Sequence, residues 1–267
     1  GRKVNEILEE VASARLDKWR EDGLWRSPSV FASGQVPESS LRVATGKTAK
    51  EAVLFSSSNY LGLAEHPEIK NAVKDSVDHY GAGSGGSRLT TGTSELHVAV
   101  EAAAAQLTGY PDSVFFATGY QANLSTLQAL ASPELTIISD ARNHASIIDG
   151  CRLAKANGAT VVVTPHRDVE AVDKALSTRT TEYALVVTDG LFSMDGVLAP
   201  LSDLYKVTDN HGAWLMVDDA HAFGTIGATG RGLPEHFGIR PDIQLITASK
   251  ALGAEGALVA TSGPVAQ

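Results

Sequence analysis

A lysine, an aspartate, two histidines and several hydroxyl groups stand just after successive apolar runs of this sequence. SVFFAT leads into Gly119-Tyr120-Gln121-Ala122-Asn123, a glycine turn that opens a helical pattern. LTIISD leads into Asn143 and His144, and YALVVTD into a segment that holds Ser193. AWLMV ends at Asp218, with His221 three residues on, and IQLI leads into Thr247-Ala248-Ser249-Lys250. Backbone N–H groups at a helix start bind phosphate. A lysine amine bonds an aldehyde carbon, a carboxylate holds a pyridinium nitrogen, and an imidazole stacks on a flat ring. Together these types suit pyridoxal phosphate chemistry. No one of them is specific; the ordered set carries the reading.

The apolar runs alternate with helical patterns from about residue 112 onward, and several are continuous and β-branched. Such runs belong to strands covered on both faces. The alternation predicts an α/β fold, a mainly parallel sheet flanked by helices. Ligands then bind at the carboxyl ends of the strands, where the residues above fall. Residues 3–22 predict an amphipathic helix, with Val4, Ile7, Leu8, Val11, Leu16 and Trp19 at helical spacing. The expected division is 1–55, an N-terminal helix and linker segment, and 56–267, a cofactor-binding large domain.

Composition excludes several classes. The 267 residues are 43% apolar and 20% charged, too apolar for disorder. With 22 basic against 31 acidic residues the net charge is −9, which argues against binding nucleic acid or an anionic membrane through bulk charge. No apolar run reaches the ~20 residues of a spanning helix. The charged start lacks a signal-peptide core, so a cytoplasmic location is expected. A single cysteine, Cys151, excludes an internal disulfide and a cysteine-rich metal site; in its helical pattern it reads as a small buried residue. Residues 81–86, GAGSGG, match G-x-G-x-x-G in letters but follow a helical pattern, so they predict a loop and not a dinucleotide site. Asp218, Asp219 and His221 lack a second ligand group, so no metal is expected.

The motifs SSNYLGL, GSRLTTGT, NHASIIDG, DGLFSMDG, VDDAH and TASKALG, in this order, resemble the α-oxoamine synthases, fold-type I pyridoxal-phosphate enzymes. The resemblance spans about residues 15–260 and implies a seven-stranded type of sheet. Within that family the GSRLTTGT and SMDGVLAPL forms favour the biotin-pathway branch. The resemblance implies that Lys250 carries the cofactor and that Asp218 pairs with the ring nitrogen. It implies His144 on the ring face, His221 and Ser193 near the phenolic oxygen, and Thr247, Gly119 and Tyr120 at the phosphate. Arg26 and Asn59 match positions near substrate, and Ser87 one that reaches a neighbouring subunit's cofactor, because the family is homodimeric. The implied reaction is decarboxylative condensation of L-alanine with pimeloyl-CoA, or with the same acyl group on a carrier protein. Glycine C-acetyltransferase is the nearest alternative; an aminotransferase or an inert fragment stands further off. Family members continue into a smaller C-terminal domain with an arginine for the substrate carboxylate. No residue here matches it, which leads us to expect a truncated chain.

Overall fold

Strands rich in β-branched residues persist here because helices cover both faces of the sheet they join. The computed structural model describes residues 4–42 and 49–267. The chain divides into two compact units, Gly1–Phe55 and Ser56–Gln267. The first holds helix α1 (Val4–Glu21) and an antiparallel three-stranded sheet of β1 (Val30–Phe31), β2 (Glu38–Arg42) and β3 (Ala49–Val53). The predicted helix is therefore present. Of its apolar stripe, Ile7, Leu8, Val11 and Trp19 are exposed, and the Val4 side chain lies outside the described residues.

The second unit begins with α2 (Pro67–Tyr80) and α3 (Glu95–Thr108). Then follow β4 (Asp112–Phe116), α4 (Gly119–Leu130), β5 (Leu135–Asp140), α5 (Ala145–Ala156), β6 (Thr160–Thr164), α6 (Val169–Thr178) and β7 (Tyr183–Asp189). A hairpin of β8 (Leu191–Phe192) and β9 (Val197–Leu198) leads into α7 (Leu201–Asn210) and β10 (Trp214–Asp218). The unit ends with α8 (Leu233–Phe237), β11 (Ile243–Thr247), β12 (Ala257–Thr261) and α9 (Gly263–Ala266).

Seven of these strands form one sheet in the order β4-β12-β11-β10-β7-β5-β6. The pairs from β11 through β10, β7 and β5 to β6 are parallel, while β12 runs antiparallel to both β11 and β4. The mainly parallel sheet predicted from the sequence is thus found. Alternate residues of each strand serve opposite faces. On one face Ile137, Leu185, Met216 and Leu245 pack with Leu127 of α4 and Ile147 of α5. On the other, Ile138, Val186, Leu215 and Val217 pack with Leu176 of α6, Leu204 of α7 and Leu233 of α8. The side chain of Cys151 is buried in the first of these layers.

From β5 the chain steps outward to β6, then returns to the other side of β5 as β7. That reversal opens a crevice at the carboxyl ends of β5 and β7, where ligands of such sheets bind. The glycine-rich stretch 81–86 lies after α2, and the next helix starts only at Glu95. It is a loop, as the sequence context indicated.

The loop that carries Lys250 is clamped by glycine. Gly253 has φ +69°, and a Cβ there would sit 2.4 Å from the Ala64 nitrogen and 2.5 Å from the Leu63 carbonyl carbon. Both contacts are backbone and cannot swing aside. Gly253→Ala is therefore expected to destabilise the chain by about 2–5 kcal/mol, summing the left-handed backbone and the overpacking. Urea unfolding measures it; a loss below about 0.5 kcal/mol would show that the loop relaxes freely.

Candidate active site

Each predicted group sits at the end of an element because the sheet delivers it there. Asp218 is the last residue of β10 and Asp189 the last of β7, neighbours across the parallel ladder. His144 caps the start of α5, and Lys250 follows β11. A cavity of about 200 Å³ is lined by these four together with Gly119, Tyr120, His221 and Thr247. The structure thus brings together eight residues, seven of them singled out by spacing or by resemblance, and adds Asn123 and Ser146 to the lining. Asp189 is the eighth, and spacing alone did not mark it.

Asp218 is 7% exposed. Its Oδ2 accepts a hydrogen bond from Asn123 Nδ2 at 2.9 Å, and its Oδ1 accepts one from the Ala220 N–H at 3.1 Å. Asp219, next in sequence, turns the other way. It is fully buried and accepts from Gln244 Nε2 at 2.9 Å and from the Leu233 N–H at 3.2 Å, fastening the start of α8. Two adjacent aspartates therefore have different tasks, one facing the cavity and one holding the fold. Burial lifts the Asp219 carboxyl to about 7.

His221 is held through Nδ1, 2.6 Å from the Tyr60 hydroxyl. Burial, and then the charge of Lys250, push its imidazole down to about 4, so it is neutral at physiological pH. The Asn143 side chain ties β5 to β7: Nδ2 donates to Ser139 Oγ and to the Val187 carbonyl, both at 2.9 Å, and Oδ1 accepts from the Asp189 N–H at 3.0 Å. Asp189 Oδ2 in turn accepts from the His144 N–H at 2.7 Å, which fixes the turn on which His144 stands. Thr247 Oγ1 donates to the Gly256 carbonyl at 3.0 Å and accepts from the Ser249 N–H at 3.2 Å, joining the ends of the Lys250 loop.

Two carboxylates in one dry crevice repel. Burial first, and the negative charge of Asp218 second, raise Asp189 to about 8. Because the folded form binds the carboxyl proton more tightly than the unfolded chain, Asp189 contributes stability below about pH 4 that is lost as pH rises toward 8. The unfolding free energy of the native chain, measured against that of Asp189→Asn, is expected to decline over pH 4–8 with a slope of up to about 1.4 kcal/mol per pH unit. Parallel curves would place Asp189 as an ordinary ionised carboxylate.

Other expected residues lie elsewhere. Ser193 is exposed in the turn between β8 and β9 and does not line the cavity. That hairpin turn is held to the loop after β5 by an ion pair of Asp195 with Arg142 at 2.5 Å. Asn59 is partly buried, and its Oδ1 accepts from the Ala64 N–H at 3.2 Å, shaping the turn at 63–65. Ser87 is exposed, with its hydroxyl 3.1 Å from that of Thr90. Arg26 belongs to the N-terminal unit and is exposed. Among the described residues, no group of three or more His, Cys, Asp or Glu side chains converges as a metal site, and no helix is long and apolar enough to cross a membrane.

Residues 50–267 match the family model for aminotransferase class I and II. The chain belongs to that family. Curated relatives of this family member include a biotin biosynthesis bifunctional protein BioWF of Cutibacterium acnes, 51% identical over 91% of this chain and 36% of the relative. Another is an 8-amino-7-oxononanoate synthase of Geobacter sulfurreducens, 45% identical over 96% of this chain and 64% of the relative. Among solved structures, a serine palmitoyltransferase of S. paucimobilis superposes with a TM-score of 0.85 at 32% identity, over 99% of this chain and 65% of that one. An 8-amino-7-oxononanoate synthase of Francisella tularensis superposes at 0.66 with 30% identity, over 79% of this chain and 59% of that one. The chain thus spans between about a third and two thirds of these relatives. The resemblance to the α-oxoamine synthases is borne out by these names, and the sheet flanked by helices is the large domain of that fold.

Proposed function

We propose that this family member binds pyridoxal phosphate in the crevice at the ends of β5, β7, β10 and β11, and that it serves the decarboxylative condensation of L-alanine with a pimeloyl thioester to 8-amino-7-oxononanoate, with release of the thiol and CO2. The observation that carries the reading is the juxtaposition of Lys250 with a buried, amide-braced Asp218 and with His144 in one cavity. Relatives named 8-amino-7-oxononanoate synthase support the choice of reaction.

The residues present fit the cofactor. The side-chain Oδ1 of Asn123 is buried in the cavity wall without a hydrogen-bond partner, as a polar lining awaiting a polar ligand has it. The cavity otherwise offers the carboxyl groups of Asp189 and Asp218, one amine and the N-terminus of α4, whose first N–H groups have no partner within the helix. Gly119 and Tyr120 at that terminus would hold the phosphate, helped by Thr247. Lys250 would bond the aldehyde carbon, and Asp218 would face the pyridine nitrogen. When bound, the cofactor supplies an electron sink for negative charge at the substrate Cα.

This chain's own groups do the rest. Asp218 keeps a proton on the ring nitrogen, because a buried carboxylate favours a cation beside it. The Lys250 amine, at the same end of the cavity, would take a proton from the substrate Cα and later return one. His144, in the cavity wall, would cover one face of the ring and keep water from it. Neutral His221, braced by Tyr60, offers a hydrogen bond without adding charge. Arg26 and Asn59 remain our assignments for substrate, while Ser193, exposed and off the cavity wall, is not carried over to the phenolic oxygen. A homodimer and a cytoplasmic location belong to the same proposal.

Two assays test it. Addition of pyridoxal phosphate is expected to give a visible band that borohydride fixes to the protein. Thiol release is expected with L-alanine plus pimeloyl-CoA. If glycine plus acetyl-CoA were the better pair, the acyl assignment would fall and the family assignment would stand.

A further inference from the structure

Asn123 takes no proton and holds no substrate in this chemistry, yet it touches both halves of the crevice. It lies one turn into α4 and is 1% exposed. Its Nδ2 donates to Asp218 Oδ2 and to Ser146 Oγ, each at 2.9 Å. Ser146, equally buried, has its Oγ 2.6 Å from His144 Nδ1. The Ser146 backbone N–H also points at that nitrogen, at 3.1 Å.

The direction of every bond in this line can be read. A backbone N–H only donates, so His144 Nδ1 is an acceptor and the neutral ring carries its proton on Nε2. The Ser146 hydroxyl must then donate to Nδ1 and accept from Asn123. An amide nitrogen has two protons, and Asn123 has placed both. Flipping the amide would set its oxygen against the Asp218 carboxylate, acceptor on acceptor.

We propose that Asn123 is a positioning residue that joins the Asp218 carboxylate to the His144 imidazole through Ser146 Oγ, in a single hydrogen-bonded line of fixed polarity. The line orients Asp218 and pins His144 as the Nε2–H tautomer. It rests on the cofactor reading only for what the two ends would face.

The test uses the cofactor-free chain first. Nitrogen-15 spectra of histidine-labelled protein are expected to show His144 protonated at Nε2. Ser146→Ala is expected to shift the His144 Nδ1 resonance. Asn123→Ala is expected to shift it too, because the serine hydroxyl loses its donor. With pyridoxal phosphate added, Asn123→Ala is expected to move the visible band, since Asp218 has lost a donor, while Ser146→Ala leaves the band in place. That split separates a directed line from loosened packing, which would move both readouts in both variants. If Asn123→Ala does not fold, Ser146→Ala decides the histidine end alone. An Nδ1–H tautomer in the native chain, or unmoved His144 nitrogens in Ser146→Ala, would overturn the proposal. A native chain that takes up no pyridoxal phosphate would sink the cofactor reading and leave the histidine test standing.

Discussion

Lys250→Ala is expected to leave no cofactor attached to the protein when a mixture with pyridoxal phosphate is reduced by borohydride. The native chain is expected to yield one labelled peptide, containing Lys250. The reason is placement. Lys250 lines the cavity beside Asp218 and His144, on a loop whose two ends are tied through Thr247 and whose backbone is pressed on residues 63 and 64. An amine held in this way meets an aldehyde in its first encounter, and holding two reactants together is worth several kcal/mol. Labelling of the same peptide in the variant would mean that another group captures the aldehyde. Turnover is expected to fall below detection.

Asp218→Asn separates binding from chemistry. The amide keeps the shape and at least one of the two hydrogen bonds that the carboxylate accepts from Asn123 and Ala220. Cofactor capture is therefore expected to survive. The negative charge is gone, and with it the support for a protonated ring nitrogen. Removing one such fixed electrostatic partner costs of the order of 10²–10³-fold in rate. The measurement is exchange of the L-alanine Cα hydrogen for deuterium, followed by proton NMR. Asp219→Asn is the internal control and is expected to slow exchange much less, because Asp219 faces Gln244 and the start of α8. Equal exchange in native chain and Asp218→Asn would remove Asp218 from the ring nitrogen.

The strands are legible in the sequence because burial on both faces writes itself as a run of β-branched residues, as in LTIISD and YALVVTD, and both runs are strands over their whole length. The strand ends follow, and with them His144, Asp218 and Lys250. Tyr60 is not legible. It reaches His221 from far away in the chain, and a single tyrosine in SSNYLGL carries no mark of its partner. Asp189 is hidden for a similar reason: only the ladder beside Asp218 makes it unusual. Asn123 does leave a signal. It stands four residues before Leu127 on the buried side of α4, a polar residue at an apolar position. An amide at such a position requires a hydrogen-bond partner, and that requirement can be read from the helical spacing alone. Ser193 shows the opposite limit, since its motif is plain in the sequence while its side chain is exposed.

The antiparallel strand β12 has a consequence in time. Strand β4, whose end leads straight into Gly119 and Tyr120, has β12 as its neighbour in the sheet. On the ribosome β4 emerges early, and β12 follows only after the whole parallel core. At roughly 5–20 residues per second, that interval is on the order of ten seconds. Throughout it the backbone groups of β4 lack the partner they will have in the finished fold, while α4 can already pack on α5 and the parallel strands. The seating of β4 in the sheet therefore waits for β12, a closure between segments far apart in sequence, which is the slow kind. A nascent chain halted short of Ala257 would carry His144, Asp218 and Lys250 already made, with β4 not yet joined to the sheet.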